Sequence, residues 1–585
     1  MKPTFLFALS VVGLASSAVP ALANMASVSG SAPRAQWVER GGGSPELAFA
    51  RMIGPMPAGR TLSFNIALAY PNPAAVHRFV EAVNDPSSPA YGHFLTPAQF
   101  TAAFEPSAAT YAALERELVA NGVRIAREWP NRKLLGVTAS AGTIERYFKT
   151  TLVQYANETG VHYANATPPL VPPRLAGIVL AVSGLNDTVY AAPLPDRLGE
   201  RSVVSTIPMG YFTSQIQSVY DEPIHENAAY NGAGVTIAIE AFGKYQTSDI
   251  KAFYAEMGIS RALPKVIVID GEIGLPVRSQ EATLDADWSS GNAPGANVIV
   301  YEGPNFTNQV AEDVYATVVD NPKVDVTSTS WGGCEALFHS DFISTSDDFF
   351  QQGSAEGITQ FAPAGDNGSN DCRGNFGTRP PKNYPNPSVD FPASDPEMGA
   401  AGGTQLTIGS NGKRETEIGW PIGVPSAIWG GGGGASGYFA TPSYQAGIVA
   451  LANAGTIALA STSYRNTPDV ALMGSPDPEG YNFCYNGCGG GGYGTSFVGP
   501  NMAAIYAQID SYTQHRMGRA ATGLYYWSLR KTPTFPAAVY YDVTSGSNGL
   551  YTAAVNYDNV TGFGSFKSAN QYMLKLPIPS GAPNL

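Results

Sequence analysis

A chain of 585 residues is longer than one compact domain usually needs and points to two or three. Apolar residues make up 44%, enough for a large core, while charged residues make up only 14%, well below the usual quarter. The net charge of −13 excludes the basic face of a nucleic-acid binder. It suits work in acid, where few ionisable groups limit the charge gained as carboxylates protonate.

The chain opens "MKPTFLFALSVVGLASSAVPALAN". Lys2, an apolar run from Phe5 to about Leu14, and Ala21-Leu22-Ala23 before Asn24 predict a signal peptide over residues 1–23 and an exported product. Ser, Pro and Gly interrupt the run and speak against an anchor. No later segment has the roughly 18 uninterrupted apolar residues of a membrane helix. Residues 24 to about 45 are small and polar and are expected to be disordered.

From about Arg60 to Asn186 the sequence alternates compactly. "TLSFNIALAY" predicts a strand. "NPAAVHRFVEAVND" and "PSAATYAALERELVANG" predict helices, each with Asn or Pro at its start. "KLLGVTAS", "VQYANETGVHYANA" and "GIVLAVSGL" predict further strands, giving an independent α+β domain. "APLPDRLGERSVVSTIP" then reads as an exposed linker.

Beyond it, strand and helix alternate. "GVTIAIEAF", "KVIVID", "NVIVYEG", "KVDVTSTS" and "GITQFAPAG" are apolar runs of the parallel-strand type. "TSDIKAFYAEMG", "NQVAEDVYATVVDN" and the stretch from Ser340 to Glu356 fit helices between them. This predicts a doubly wound α/β domain from about 210 to the C-terminus, with its site at the carboxyl ends of strands. The Gly runs at 430–434 and 489–492 lack a phosphate-loop context and read as backbone in close approach.

The four cysteines, Cys334, Cys372, Cys484 and Cys488, allow three pairings. Cys334–Cys372 and Cys484–Cys488 are favoured. Zinc at the Cys-x3-Cys spacing competes, but no histidine is near in sequence.

"GGGGYGTSFVGPNMAAIYAQI" sets Ser496 just ahead of a helical pattern, as a nucleophile would stand. Val498 breaks the Gly-x-Ser-x-Gly elbow. A Ser-His-Asp triad needs a histidine. His77, His93 and His162 fall in the N-terminal domain, and His225, His339 and His515 have no motif around them, so all three read as surface or structural. Carboxylates remain. "RSQEATLDADW" sets Glu281 and Asp285 one helical turn apart, where like charges repel. By spacing alone, a solvated helix face is the commoner explanation. In "FAPAGDNGSN", Asp366 follows an apolar run at the end of an expected strand.

In order along the chain, "EATLD", "STSWG" with Glu335 beyond it, "PAGD", "VDFPASDP" then "GGT", "RNTPDVA" and "GTSFVGP" resemble the motifs of sedolisin-type serine-carboxyl peptidases, the kumamolisin group. "DPSSPAYGHFLTPAQF" and "VLAVSGLND" resemble that family's propeptide. The resemblance spans about 45 to 575. It implies a subtilisin-like α/β peptidase domain over 210–585, behind an α+β activation propeptide over 24–195, folded from about 45 to 190, and a linker with the processing site at 196–209.

It also implies roles. Ser496 is the nucleophile, Glu281 its general base and later the acid, Asp285 the support of Glu281, and Asp366 the group facing the oxyanion. A glutamate of ordinary pKa, about 4, can accept a proton in acid where histidine is already charged. Asp366 has to be protonated to donate to an oxyanion.

The family binds one structural Ca2+ through positions matching Asp542, the Val543, Ala554 and Asn556 carbonyls, and Asp558. It usually has glycine where Ala554 and Asn556 stand. Its Ser-Gly-Gly-Gly cleft wall appears here, shifted, as "WGGGGGASGYF", and "CRGNFGTRPPKNYPNPS" is expected to be a surface loop over the cleft.

The implied function is a secreted acid endopeptidase made as a self-processing zymogen. Its partners are protein and peptide substrates and its own propeptide, with no nucleic acid and no membrane, and it acts as a monomer. A tripeptide-releasing exopeptidase of the same fold and a silent peptide-binding relative are the alternatives. An unrelated carbohydrate-binding protein would explain the Gly, Tyr and Asn content but not the ordered motifs.

Overall fold

The computed structural model describes residues 36–157, 160–189, 210–271, 279–374, 387–422, 429–526 and 535–578. The expected signal peptide and linker lie outside these residues, as does most of the expected loop over the cleft.

The apolar runs of the second half form one eight-stranded sheet. In space its order is Lys265–Val268, Asn297–Glu302, Thr236–Ala241, Val326–Ser328, Thr359–Pro363, Gly399–Ile408 and Arg414–Gly419, with Val470–Met473 also paired to Gly399–Ile408. Every pairing is parallel except that of Arg414–Gly419. A parallel sheet is covered on both faces, so Thr236–Ala241 is buried along its whole length without alternation. From that strand the chain crosses to the edge strand Lys265–Val268, fills Asn297–Glu302 between the two, and then passes to Val326–Ser328 on the other side. The crevice beyond the carboxyl ends of Thr236–Ala241 and Val326–Ser328 is the switch point where such sheets hold ligands. Helices Gln280–Asn292 and Val498–Thr513 pack on each other and on these strands.

The N-terminal region is α+β. An antiparallel sheet, ordered Arg124–Glu128, Leu134–Ser140, Thr61–Leu68, Val179–Ser183, carries helices Ala108–Ala120 and Ala141–Phe148 over Phe64, Ile66, Leu114, Leu118 and Val137. Several expectations need correction here. Residues 36–45 are ordered, since Val38–Glu39 pairs with Leu170–Val171. "VQYANETGVHYANA" is two antiparallel strands, Leu152–Asn157 and Gly160–Asn165. Helix Ala108–Ala120 is capped by Ser107, not by the proline before it. Helix Pro97–Phe104 was not predicted, although Thr96 and Gln99 form a reciprocal capping box that its sequence advertises.

The two regions meet along helices Asn308–Val319 and Ser340–Ala355. Asn65 Nδ2 donates to Glu312 Oε2 at 3.0 Å and Asp313 Oδ1 at 2.9 Å. Lys133 pairs with Asp348 at 2.5 Å, and Arg519 with Glu81 at 2.7 Å. His339, buried, lies 3.4 Å from Glu46 and 2.9 Å from the Asn186 amide, so of the three histidines without a motif it is a structural one. Both favoured disulfides are present, which removes the thiolates a zinc ion would need.

Candidate active site

"QEATLDADWSSGN" forms helix Gln280–Asn292, started by the Ser279 hydroxyl, which accepts from Ala282 N at 3.2 Å. Every residue of this helix is buried, so the solvated face that spacing alone favoured is not what the fold makes. Glu281 and Asp285 do share one face, and it points inward. At the other side of the cleft, Gly494 takes φ +118°, a conformation other residues rarely adopt. That turn delivers Ser496 in a short 3-10 segment, Thr495–Phe497, directly ahead of helix Val498–Thr513.

The cluster is marked by missing partners. Both oxygens of Glu281, Asp285 Oδ2 and Ser496 Oγ are buried and without a hydrogen bond among the described residues. Unpartnered atoms also occur on Glu105 and Asp510, but here a serine hydroxyl and two acids stand together, which leaves these groups free to meet a ligand. Burial raises Glu281 well above the usual carboxylate range, and the neighbouring Asp285 raises it further. The nearby Ser496 and Ser330 hydroxyls act in the opposite sense by favouring the charged form. The ordinary acidity expected of Glu281 is therefore corrected. Two interacting buried carboxyls titrate as a pair. Burial likewise raises Asp285, against the Ser330 hydroxyl, which donates to its Oδ1 at 2.6 Å.

Asp366, in the loop after Thr359–Pro363, is held by Thr495. Its Oδ1 accepts from Thr495 N at 2.8 Å and Thr495 Oγ1 at 2.6 Å. The carboxyl is thus fixed to the residue beside Ser496. Burial raises it, and the two Thr495 bonds oppose the rise. The fold thus gathers Glu281, Asp285, Asp366 and Ser496, which are separated by up to 215 positions, into one buried cluster.

Sequence reading missed four of the residues around these. Ser330 and Thr495 were quoted only as letters of motifs. Asp371 and Asp390 lie beside Asp366: a β-carbon on Gly365 would sit 2.8 Å from Asp371 Oδ1 and 3.2 Å from the Asp390 β-carbon. Burial, then Asp366, raises Asp371 to about 6. Asp371 adjoins Cys372, so the cysteine pairing was the available signal. Glu335 anchors the expected cleft wall, accepting from Ser436 Oγ and Gly437 N, each at 2.6 Å. In that wall, Gly432 approaches so closely that a β-carbon would lie 1.9 Å from the Ala364 oxygen, as expected for the 430–434 run. The 489–492 run, in hairpin strand Cys488–Gly492, is close-packed as well: a β-carbon on Gly492 would lie 2.6 Å from Phe497 Cζ, while Gly489 stands open. Beside this hairpin, the first described residues after the linker are fastened, with Tyr211 N donating to Gly480 O at 2.8 Å.

The expected metal ligands lie in the turns over 542–558. Asn556 N donates to Asp542 Oδ2 at 3.0 Å, and Ala554 N to Asp558 Oδ2 at 2.9 Å. These bonds tie the backbone of the two residues to the carboxylates expected to hold the ion. Asp542 Oδ1 is buried and unpartnered, and burial raises Asp558 to about 6. An all-oxygen set with an orphaned carboxylate atom fits a hard cation.

The chain is similar to known proteins over most of its length. Residues 50–188 match the family model "Pro-kumamolisin, activation domain", and residues 274–532 match that of the subtilase family. The chain is 28% identical to sedolisin of Pseudomonas sp. (strain 101) over 549 residues, covering 90% of this chain and 89% of that protein. It is 29% identical to kumamolisin of Bacillus sp. (strain MN-32) over 507 residues, covering 83% and 86%. Tripeptidyl-peptidase 1 of Canis lupus familiaris is 25% identical over 452 residues, covering 72% and 74%. The solved structure of Pseudomonas sedolisin, a serine-carboxyl proteinase complexed with two molecules of pseudo-iodotyrostatin, superposes with a TM-score of 0.52 at 24% identity, covering 63% of this chain and 98% of that one.

Proposed function

This chain belongs to the sedolisin family of serine peptidases, made as a zymogen behind an activation domain, and we propose that it is a secreted endopeptidase that works and matures itself in acid. The observation that carries the mechanism is the group of buried atoms without partners on Glu281, Asp285 and Ser496.

Ser496 Oγ attacks the scissile carbonyl and passes its proton to Glu281, the ionised member of the acid pair. Asp285 keeps the pair's other proton and holds Glu281 by donating it. Charge developing on the carbonyl oxygen is met by Asp366, whose raised pKa keeps a proton available for donation. Glu281 then returns its proton to the leaving amine. Water repeats the sequence on the acyl-enzyme. Acid keeps Asp366 neutral, and the Ser496 and Ser330 hydroxyls favour the half-ionised pair against burial.

The N-terminal domain acts as the intramolecular inhibitor of this cleft, seated on helices Asn308–Val319 and Ser340–Ala355. Asp542, Asp558 and the Val543, Ala554 and Asn556 carbonyls would hold one Ca2+, which braces the C-terminal turns and takes no part in the reaction. The substrates are proteins and peptides, met outside the cell by a monomer.

Incubating purified precursor at about pH 4, where carboxylates titrate, and sequencing the products tests this reading. The wild type releases a chain beginning between residues 190 and 210, and Ser496→Ala stays full length. A Ser496→Ala precursor that matures alone at the wild-type rate sinks self-processing. Products cut only three residues from substrate N-termini replace the endopeptidase by a tripeptide-releasing enzyme.

A further inference from the structure

We infer that Ser330 is a positioning residue for the reaction, whose hydroxyl decides which oxygen of Asp285 carries the proton shared with Glu281. This rests on the assignment of Glu281, Asp285 and Ser496 given above. Ser330 stands just beyond strand Val326–Ser328, at the switch point of the sheet, and is fully buried. Its Oγ lies 2.6 Å from Asp285 Oδ1 and 3.2 Å from the main-chain oxygen of Ser496. A carbonyl oxygen only accepts, and a hydroxyl has one proton to give. The shorter contact takes most of that proton, and the longer one is the weaker arm of a shared bond.

Asp285 Oδ1 is therefore committed as an acceptor. The carboxyl proton of Asp285 falls to Oδ2, the oxygen with no partner among the described residues. Glu281, one turn away, has two unpartnered oxygens to receive it. Without the Ser330 hydroxyl the proton can sit on either oxygen, and one of the two arrangements opposes lone pairs across the gap to Glu281. The same hydroxyl reaches the carbonyl of Ser496, so a single side chain holds the acid pair and the nucleophile's main chain in register.

During attack, the Ser496 Oγ–C bond forms, the Ser496 proton moves to Glu281, and the carbonyl π pair moves onto its oxygen opposite Asp366. The Asp285 proton stays on Oδ2 throughout. When the C–N bond breaks, Glu281 gives its proton to the amine nitrogen, and Ser330 returns to its starting bond unchanged.

The charged neighbours of Glu281 are Asp285 and Asp366. The elements packed on its helix carry Glu240, Glu302 and Asp249; Lys244 acts electrostatically on Glu302, and Arg261 donates to the Ser290 and Ala293 carbonyls. Ser330 thus supplies the pair with a neutral donor, which favours its ionised form.

The test compares Ser330→Ala, Ser330→Thr, Ser330→Cys and Glu281→Gln in acid-matured protein, following hydrolysis of a quenched fluorescent peptide against pH. Ser330→Ala is expected to lower kcat about ten- to a hundredfold with KM little changed. The acid limb of kcat/KM should move to higher pH, because the donor favouring ionisation is gone. Thr restores both, and Cys, a weak donor, falls between. Loss of kcat with an unmoved acid limb, or a Ser330→Ala enzyme indistinguishable from wild type, overturns the inference. If Ser330→Ala does not fold or mature, the order of Thr above Cys in kcat and in limb position decides instead, and its absence overturns the inference. An inactive Glu281→Gln beside an unaffected Ser330→Ala removes only the role of Ser330. A fully active Glu281→Gln removes the assignment beneath it.

Discussion

Two pairs of buried residues, each four positions apart, behave in opposite ways. Arg465 and Asp469 are both fully buried, and every valence is used. Arg465 spans Asp469 Oδ1 and Oδ2 at 3.0 Å each and also donates to the Asp395, Ala393 and Met398 oxygens, while Asp469 accepts from Ala400 N and Tyr525 OH at 2.8 Å each. Glu281 and Asp285 are equally buried, but both are acids, and they keep three oxygens unpartnered among the described residues. Burial is common to both, so burial does not mark the chemistry. The first pair is locked because each charge has its complement. The second stores unmet hydrogen-bonding capacity that a substrate and a shared proton can use.

Exchanging one member of each pair breaks the comparison most directly. Glu281→Gln keeps the shape and removes the proton acceptor, so kcat/KM on a peptide is expected to fall on the order of 10²–10⁴-fold. The melting temperature should hold or rise, since the desolvation cost of a buried carboxylate is lost. A large drop in melting temperature with activity retained would reverse the two roles. Asp469→Ala leaves the Arg465 guanidinium buried and unpaired, and costs about 3–5 kcal/mol in urea unfolding of the precursor. A change under about 1 kcal/mol, the scale of an exposed ion pair, contradicts that account.

Stability against pH sharpens the contrast between satisfied and unsatisfied acids. Burial alone raises Glu240 to about 8. Between the ordinary glutamate value and that raised value, the folded state holds more protons than the unfolded one. Its contribution is therefore complete below the ordinary range and is lost as pH rises through about 8. Melting temperature should fall from acid towards neutral pH, and Glu240→Gln should flatten that slope in a calorimetric series. An unchanged slope assigns the loss to other groups.

Asp366→Asn makes a smaller change. Asn donates at any pH, so activity at the optimum should fall about tenfold, less than loss of an oxyanion donor outright, and the alkaline limb should extend upward. A limb that stays in place removes Asp366 as the group that titrates there. The metal acts on stability alone. An ion present at about a hundred times its dissociation constant adds about 2.7 kcal/mol, so a chelator should lower the melting temperature of wild type and leave Asp558→Ala unchanged. Equal response of the two proteins disposes of the proposed ligands.

Much of the fold was legible because local patterning reports it. The parallel strands are apolar runs, and helices Asn308–Val319 and Ser340–Ala355 appear where their periodicity places them. Helix Gln280–Asn292 was legible as a helix but not as a buried one, since its acids and serines look like a solvent face. Ser330 and Thr495 were visible only as motif letters, and nothing nearby in sequence says that one faces Asp285 and the other Asp366.

By itself the sequence determined the elements, their order, and the residue types able to do acid-pair chemistry, because these depend on neighbours within a few positions. Tertiary structure alone decided that Glu281 and Asp285 lose their water, that Thr495 holds Asp366, and that Ser330 fills one oxygen of Asp285 and leaves the other open. Those outcomes depend on which distant atoms arrive with a proton to donate and which arrive with none.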